Sequence, residues 1–201
     1  MARTSFVARY DFRAPGATPA ERSELFGRAV EQAAYAEQHG IQALMLSEHH
    51  VSADGYLPSA LTMAAAVAAR TSRVATWVSA VAAPFHDPVR LAEEAVVVDS
   101  ISAGRLTLVL ANGYVPSEFD MFGVPIGERV ARTTEAVLAV RAARDGAPVQ
   151  VGERSVKVTP APDRRNGRTG PTVLLGGSGP AAARRAARIA RSRRTSRAPW
   201  R

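Results

Sequence analysis

A chain of 201 residues, 46% of them apolar, has the length and composition for one domain with a real core and is excluded from the disordered class. Cysteine is absent, which removes disulfides, thiolate metal sites and cysteine nucleophiles together. The formal net charge of +8 invites a nucleic-acid reading, but residues 184–201 hold eight arginines and no acidic side chain, so residues 1–183 are neutral overall.

In chain order, Thr4–Tyr10 reads as a first strand. Thr18-Pro19-Ala20-Glu21 then supplies a helix cap, a proline at the first helical position and a glutamate three residues after the cap. Leu25, Phe26, Ala29, Val30 and Ala33 keep the spacing of one apolar helical face, and Gly40 ends the helix. Ala43–Leu46 is too short for a helix and reads as a buried strand that stops at Ser47-Glu48-His49-His50. An alanine-rich helix over Ser59–Arg70 and a strand over Arg73–Ala83 follow. Asp87-Pro88 repeats the cap-plus-proline start, and Leu91, Ala92, Ala95, Val96 and Asp99 run down the next helix to Gly104. Leu106–Leu110 is a fourth strand. The strand centres recur every 30 to 37 residues or roughly so, the length of a βα unit, which predicts parallel pairing.

Asn112–Gly127 breaks the rhythm with a long polar and aromatic loop of the length that usually carries function. A helix is predicted over Glu128–Arg144 and a small hairpin over Val149–Val158, turning at Gly152-Glu153. After a loop from Pro160 to Pro171, the fifth strand, Thr172–Leu175, opens onto Gly176-Gly177-Ser178-Gly179-Pro180 and a helix from Ala181 to about Ala190. A glycine turn entering a helix presents bare backbone N–H groups at the positive end of the helix dipole, which suits a phosphate; a plain tight turn is the simpler reading.

Parallel α/β folds bind ligands outside the carboxyl ends of their strands. Two imidazoles, a carboxylate and a hydroxyl therefore arrive at a ligand-binding edge in Ser47–His50, with an exposed polar turn as the plain alternative. Read as metal ligands, Glu48, His49 and His50 would make a barrel hydrolase. Adjacent histidines point to opposite faces of an extended chain, and nothing in the sequence fixes His86 or Asp99 nearby, so no metal is expected. The arginine-rich end lacks interleaved aromatics, and no specific nucleic-acid partner is expected.

The order Glu48-His49-His50, then Pro84-Phe85-His86-Asp87-Pro88-Val89-Arg90-Leu91-Ala92-Glu93, Asp99 with Gly104-Arg105-Leu106, Gly113-Tyr114 with Glu118-Phe119 and Phe122-Gly123, and finally Leu174-Leu175-Gly176-Gly177-Ser178, resembles the bacterial luciferase-like monooxygenases. The likeness runs over roughly residues 3–190 of this flavin-dependent oxidoreductase family. It implies an α/β fold of the (β/α)8 TIM-barrel type, usually dimeric, with reduced FMN or the deazaflavin F420 at the carboxyl rim. A small organic substrate, O2 and, in many members, a separate flavin reductase complete the implied partners. His49 matches the catalytic imidazole, with His50 and Glu48 supporting it. Ser79-Ala80 matches a non-proline cis peptide under the flavin ring, Asn112 a position that approaches the flavin, and Gly177, Ser178 and Gly179 the turn that meets the cofactor phosphate. Tyr56, Trp77, Tyr114, Phe119 and Phe122 are candidates for an apolar substrate wall, against the plainer reading as core. The cofactor carries the difficult step, which leaves the protein to position it, exclude water and move a proton, work that suits histidine.

A complete barrel of this type takes about 250 residues. Five principal strands are counted, so the expectation is an incomplete barrel of about five βα units over residues 1–190, with a hairpin insertion and an apparent C-terminal truncation. The basic tail, residues 191–201, has no strand pattern and is expected to be disordered and outside the family pattern. Open first and fifth strands favour aggregation or pairing with a copy, so an inactive or non-catalytic flavin-binding fragment is the alternative to a working enzyme. No apolar run approaches the roughly 18 residues of a membrane span. The first residues lack the apolar centre of a signal peptide, so a cytoplasmic location is expected.

Overall fold

The short apolar runs of the main sheet become strands, and helices carry the chain from the end of one to the start of the next. The computed structural model describes residues 5–162 and 170–191, with Ala190 and Arg191 as backbone only. The expected strand start at Thr4, much of the Pro160–Pro171 loop and the tail from 192 onward lie outside the described residues. The order is β1 (Val7–Tyr10), α1 (Pro19–Gln38), β2 (Ala43–Leu46), α2 (Ala60–Arg70), β3 (Ala75–Ala82), α3 (Pro88–Ile101) and β4 (Leu106–Ala111). After these come α4 (Pro116–Met121), α5 (Arg129–Asp145), β5 (Val149–Val151), β6 (Arg154–Val156), β7 (Thr172–Leu175) and α6 (Pro180–Arg191).

The helix starts follow their sequence signals. The Thr18 hydroxyl accepts the Glu21 N–H while the Glu21 carboxylate accepts the Thr18 N–H, a reciprocal cap that opens α1. The Asp87 carboxylate accepts the N–H groups of Val89 and Arg90 and opens α3 just past the end of β3. Beyond α1, Gly40 takes a φ of +85°, a left-handed turn that costs other residues more.

The main sheet has the order β1-β2-β3-β4-β7, with every pair parallel. Leu44, Leu46, Val78, Leu106, Leu108 and Leu110 bury one face of it against Ala60, Ala64, Val67, Leu91, Ala95, Val96, Val137 and Val140 of the helices. Burial of each leucine or valine contributes roughly 1.5–3 kcal/mol. Successive strand residues face opposite ways, so Arg9, Met45, Trp77, Thr107 and Thr172 fall in one register row on the other face. That face carries no second layer among the described residues, and the row is half-buried or exposed. The five-stranded sheet is thus the expected incomplete barrel, with β1 and β7 at its edges. β5 and β6 pair antiparallel as a separate hairpin across Gly152-Glu153, also as expected.

One reading needs correction. Asn112–Gly127 is not structureless: it contains α4 and a 3-10 turn at Ile126–Glu128. Six residues are too few for helical periodicity to register, and the signal lay instead in Pro116 at the first helical position and Glu118 in the first turn.

Candidate active site

The loop after β2 is closed on itself before it meets anything else. The His49 N–H donates to the Leu57 carbonyl at 3.1 Å, and the Ser47 and Tyr56 hydroxyls share a hydrogen bond at 2.7 Å. Glu48 points into the protein, where one carboxylate oxygen meets His50 Nε2 at 3.0 Å and His86 Nε2 at 3.2 Å. Burial alone would raise the Glu48 carboxyl, but the two imidazoles outweigh it and its pKa is lowered. Burial likewise opposes charge on His86, and the hydrogen bond and charge of Glu48 reverse this to a net rise.

His49 faces elsewhere. Its Nδ1 lies 2.9 Å from Glu118 Oε1, and the same oxygen accepts the His50 backbone N–H at 2.8 Å. The Glu118 side chain is 2% exposed and that of His49 is 28% exposed, so a buried carboxylate holds a reachable imidazole. The rings of Tyr56 and Tyr114 stand edge-on to it, with centroids at 4.7 and 5.8 Å. His50 is packed edge-on against Phe85 and Phe122, which stack on each other at 4.7 Å, and Phe119 closes against Phe85 at 4.8 Å. The expected support of His49 by Glu48 and His50 is therefore corrected. Glu48 serves His50 and His86, because neighbouring side chains leave an extended segment in opposite directions.

The remaining candidates lie on the same edge of the sheet. Leu46 is in register with Val78, so Ser79 and Ala80 come one step beyond the end of β2; their peptide is cis and sits at a register shift between β3 and β4. Asn112 follows β4 directly, and its Oδ1 is buried without a hydrogen-bond partner among the described residues. Leu110 is in register with Leu175, and the Gly176 N–H donates to the Leu110 carbonyl at 2.8 Å. A Cβ at Gly177 would stand 2.6 Å from that of Ala182, and φ there is +149°, so only glycine fits the turn. The Gly179 carbonyl accepts the N–H groups of Ala182 and Ala183 and opens α6. From the β2 loop to the glycine turn is three strand spacings, roughly 14 Å. Beside the imidazoles a cleft of about 580 Å³ is lined by Arg22, Phe26, His49, Tyr56 and Met121 among others.

Of the five candidate wall residues, Tyr56, Tyr114 and Phe122 touch the imidazoles, Phe119 is buried beneath Gly113, and Trp77 stands on the open sheet face. Among the described residues no group of three or more His, Asp or Glu is arranged to hold a metal ion. Asp99 lies near the far end of α3, away from the rim. The sequence reading missed three members of the site. Glu118 and Phe85 were visible only as parts of longer motifs. His86 had a usable signal, since it follows a strand adjacent to β2 and so emerges on the same edge.

A parallel βα sheet whose imidazoles, amide side chain and glycine turn share its carboxyl edge has the layout of α/β proteins of the barrel type. Residues 4–192 match the luciferase-like monooxygenases, and the chain belongs to that family. It is 32% identical over 110 residues to the 4-hydroxyprotoasukamycin monooxygenase of Streptomyces nodosus subsp. asukaensis, a stretch covering 55% of this chain and 30% of that protein. Similarity to the oxygenase component of the flavin-dependent trigonelline monooxygenase of Acinetobacter baylyi is 31% over 99 residues, or 49% of this chain and 28% of that one. Among solved structures, the monooxygenase RslO1 from Streptomyces bottropensis superposes with a TM-score of 0.78 at 29% identity, over 92% of this chain. The chain spans 57% of that structure, little more than half its length. No helix among the described residues is long and apolar enough to cross a membrane.

Proposed function

We propose that this chain forms the flavin-binding rim of a flavin-dependent monooxygenase that acts with O2 on a small organic substrate. The observation that carries the reading is the convergence of the His49 loop and the glycine turn on one edge of a parallel sheet, roughly 14 Å apart. That separation asks for a long ligand with a ring at one end and an anionic group at the other. Reduced FMN and reduced F420 both have that form. The buried Asn112 Oδ1, without a partner among the described residues, is open to a donor, and a flavin ring offers an N–H. Backbone N–H groups at the start of α6 suit a phosphate. We assign the cofactor to Ser79, Ala80, Asn112, Gly177, Ser178 and Gly179. When bound, reduced FMN would supply the electrons for reaction with O2, and reduced F420 would supply a hydride instead.

The chain's own residues do the rest. His49 holds or moves a proton at the rim, with its ring bracketed by Tyr56 and Tyr114. His50 is kept in place by Glu48, and with Phe85 and Phe122 it keeps water from the floor of the site. The trigonelline relative is named as an oxygenase component, which supports a separate flavin reductase as partner here. A homodimer and a cytoplasmic setting go with the same reading, the latter suiting a cysteine-free chain.

Equilibrium titration with FMN, F420 and riboflavin tests this. One phosphorylated flavin should be retained. Ser178→Asp, at an exposed position, should weaken it at least about tenfold by charge repulsion while leaving riboflavin unchanged. His49→Ala should keep the flavin and lower turnover by about 100-fold or more. Retention of neither cofactor, or equal loss of riboflavin, would overturn the assignment.

A further inference from the structure

We infer that Glu118 is the positioning residue for His49: it fixes the imidazole as the Nδ1–H tautomer and leaves Nε2 as the nitrogen that takes and returns the proton. This rests on the reading of His49 as the proton-handling group, but the tautomer itself does not. Glu118 Oε1 accepts the His50 backbone N–H at 2.8 Å, and a backbone N–H can only donate. With Glu118 as a carboxylate, that oxygen has no proton to give, so the 2.9 Å contact from His49 Nδ1 to it places a hydrogen on Nδ1. The bond made by one imidazole nitrogen decides the state of the other. In the neutral ring, Nε2 then carries the free lone pair. A free histidine side chain in water prefers the opposite tautomer, so the protein has to impose this one.

The mount is built to impose it. Glu118 sits in the first turn of α4, and the next residue, Phe119, is 2% exposed. Phe119 packs so closely on Gly113 that a Cβ there would lie 3.2 Å from its ring. The helix carrying the carboxylate is therefore anchored beneath the rim. Tyr56 and Tyr114 stand almost perpendicular to the imidazole, at 85° and 82°, and oppose a flip that would exchange its nitrogens. Of the other charged groups near the loop, Glu48 is bonded to His50 and His86, Arg22 donates to the carbonyls of Ala14 and Asp54, the Asp54 carboxylate accepts from the Ser52 hydroxyl, and Arg9 and Arg13 meet Tyr56 rather than His49. A simple loop staple would need only the His50 N–H contact. A second donor on the same oxygen marks a group that also sets the ring.

Nitrogen-15 spectra of the intact chain, labelled at histidine and assigned with His49→Gln, read the tautomer directly. In alkaline buffer, His49 should be predominantly Nδ1–H. Glu118→Gln keeps an oxygen acceptor for both donors and should retain that form. Glu118→Leu removes the acceptor and should shift His49 toward Nε2–H. A wild-type ring that is mainly Nε2–H, or a Leu variant with unchanged populations, would overturn the assignment. Should the Leu variant not fold, the wild-type and Gln spectra decide. Once a flavin is retained, Glu118→Leu should lower kcat with KM unchanged and Glu118→Gln should keep it, whereas a purely structural role would move flavin retention first. Loss of flavin binding in the wild type would count against the proposed function alone, since the spectra need no cofactor.

Discussion

The two ends of the sheet use similar side chains to opposite effect. At the amino-terminal edge, the Glu37 carboxylate accepts the N–H groups of Ser72, Arg73 and Val74 and the hydroxyl of Ser72. Burial alone would raise that carboxyl, yet these bonds bring it down to about 2. Close by, Arg105 donates to the carbonyls of Ala68, Thr71, Val74 and Ser102 and to the Thr71 hydroxyl. Both ions are tied to the backbone of the turns that start β3 and β4. At the carboxyl edge the carboxylates hold imidazoles instead, His49 remains partly open, and the Asn112 amide oxygen has no partner among the described residues. The base is closed on itself, while the rim keeps hydrogen-bonding capacity for something that arrives.

That contrast can be broken in graded ways. The largest loss of stability is expected from Arg105→Met, which removes five hydrogen bonds and strands several carbonyls: about 3 kcal/mol by denaturant unfolding. A smaller effect belongs to Glu37. Because its folded pKa is depressed from 4.5 to about 2, its stabilisation is present above the higher value and lost as the pH falls toward the lower. Glu37→Gln should remove that acid limb, worth roughly 1–2 kcal/mol once solvent screening is allowed for. An unaltered acid profile in the variant would contradict the hydrogen bonds described.

At the rim, the Glu48 and His86 shifts have opposite sign. The Glu48 contribution is present above its unfolded value and lost on acidification; the His86 contribution is present below its unfolded value and lost as the pH rises through its raised folded value. Melting temperature against pH should therefore fall away on both sides of a mildly acidic to neutral maximum. Glu48→Gln should flatten both limbs by about 1 kcal/mol each. Smallest in stability is Asn112→Leu. Replacing an unpartnered acceptor with an apolar group should change unfolding by less than about 0.5 kcal/mol while weakening flavin retention about tenfold. A large destabilisation there would mean that the oxygen has a protein partner after all.

Much of the architecture was legible because it is local. Thr18 with Glu21, Asp87 with Pro88 and the alternation around Gly152 are short-range signals, and each produced the expected element. The site was legible only in outline. Ser47–His50, Ser79-Ala80, Asn112 and Gly177–Gly179 do reach one edge, because that follows from parallel strands. The partners of those residues were not readable. Glu118 lies 69 residues from His49, and His86 lies 38 from Glu48. Sequence spacing carries no information on which of two such side chains turns toward the other. The short helix that presents Glu118 was missed because six residues are too few for periodicity to register, and burial of Phe119 against Gly113 and Phe85 holds them in place.

The order of residues was enough to set the alternation of strands and helices, their caps, and the edge of the sheet on which the imidazoles and glycines emerge. All of these rest on contacts within a few residues, or on the rule that a helical crossover makes neighbouring strands parallel. That His49 leans on Glu118 while Glu48 turns inward to His50 and His86 came from the folded packing alone. Those pairings depend on how adjacent strands twist and on which side chains packing leaves room for, and both are settled only when the strands meet.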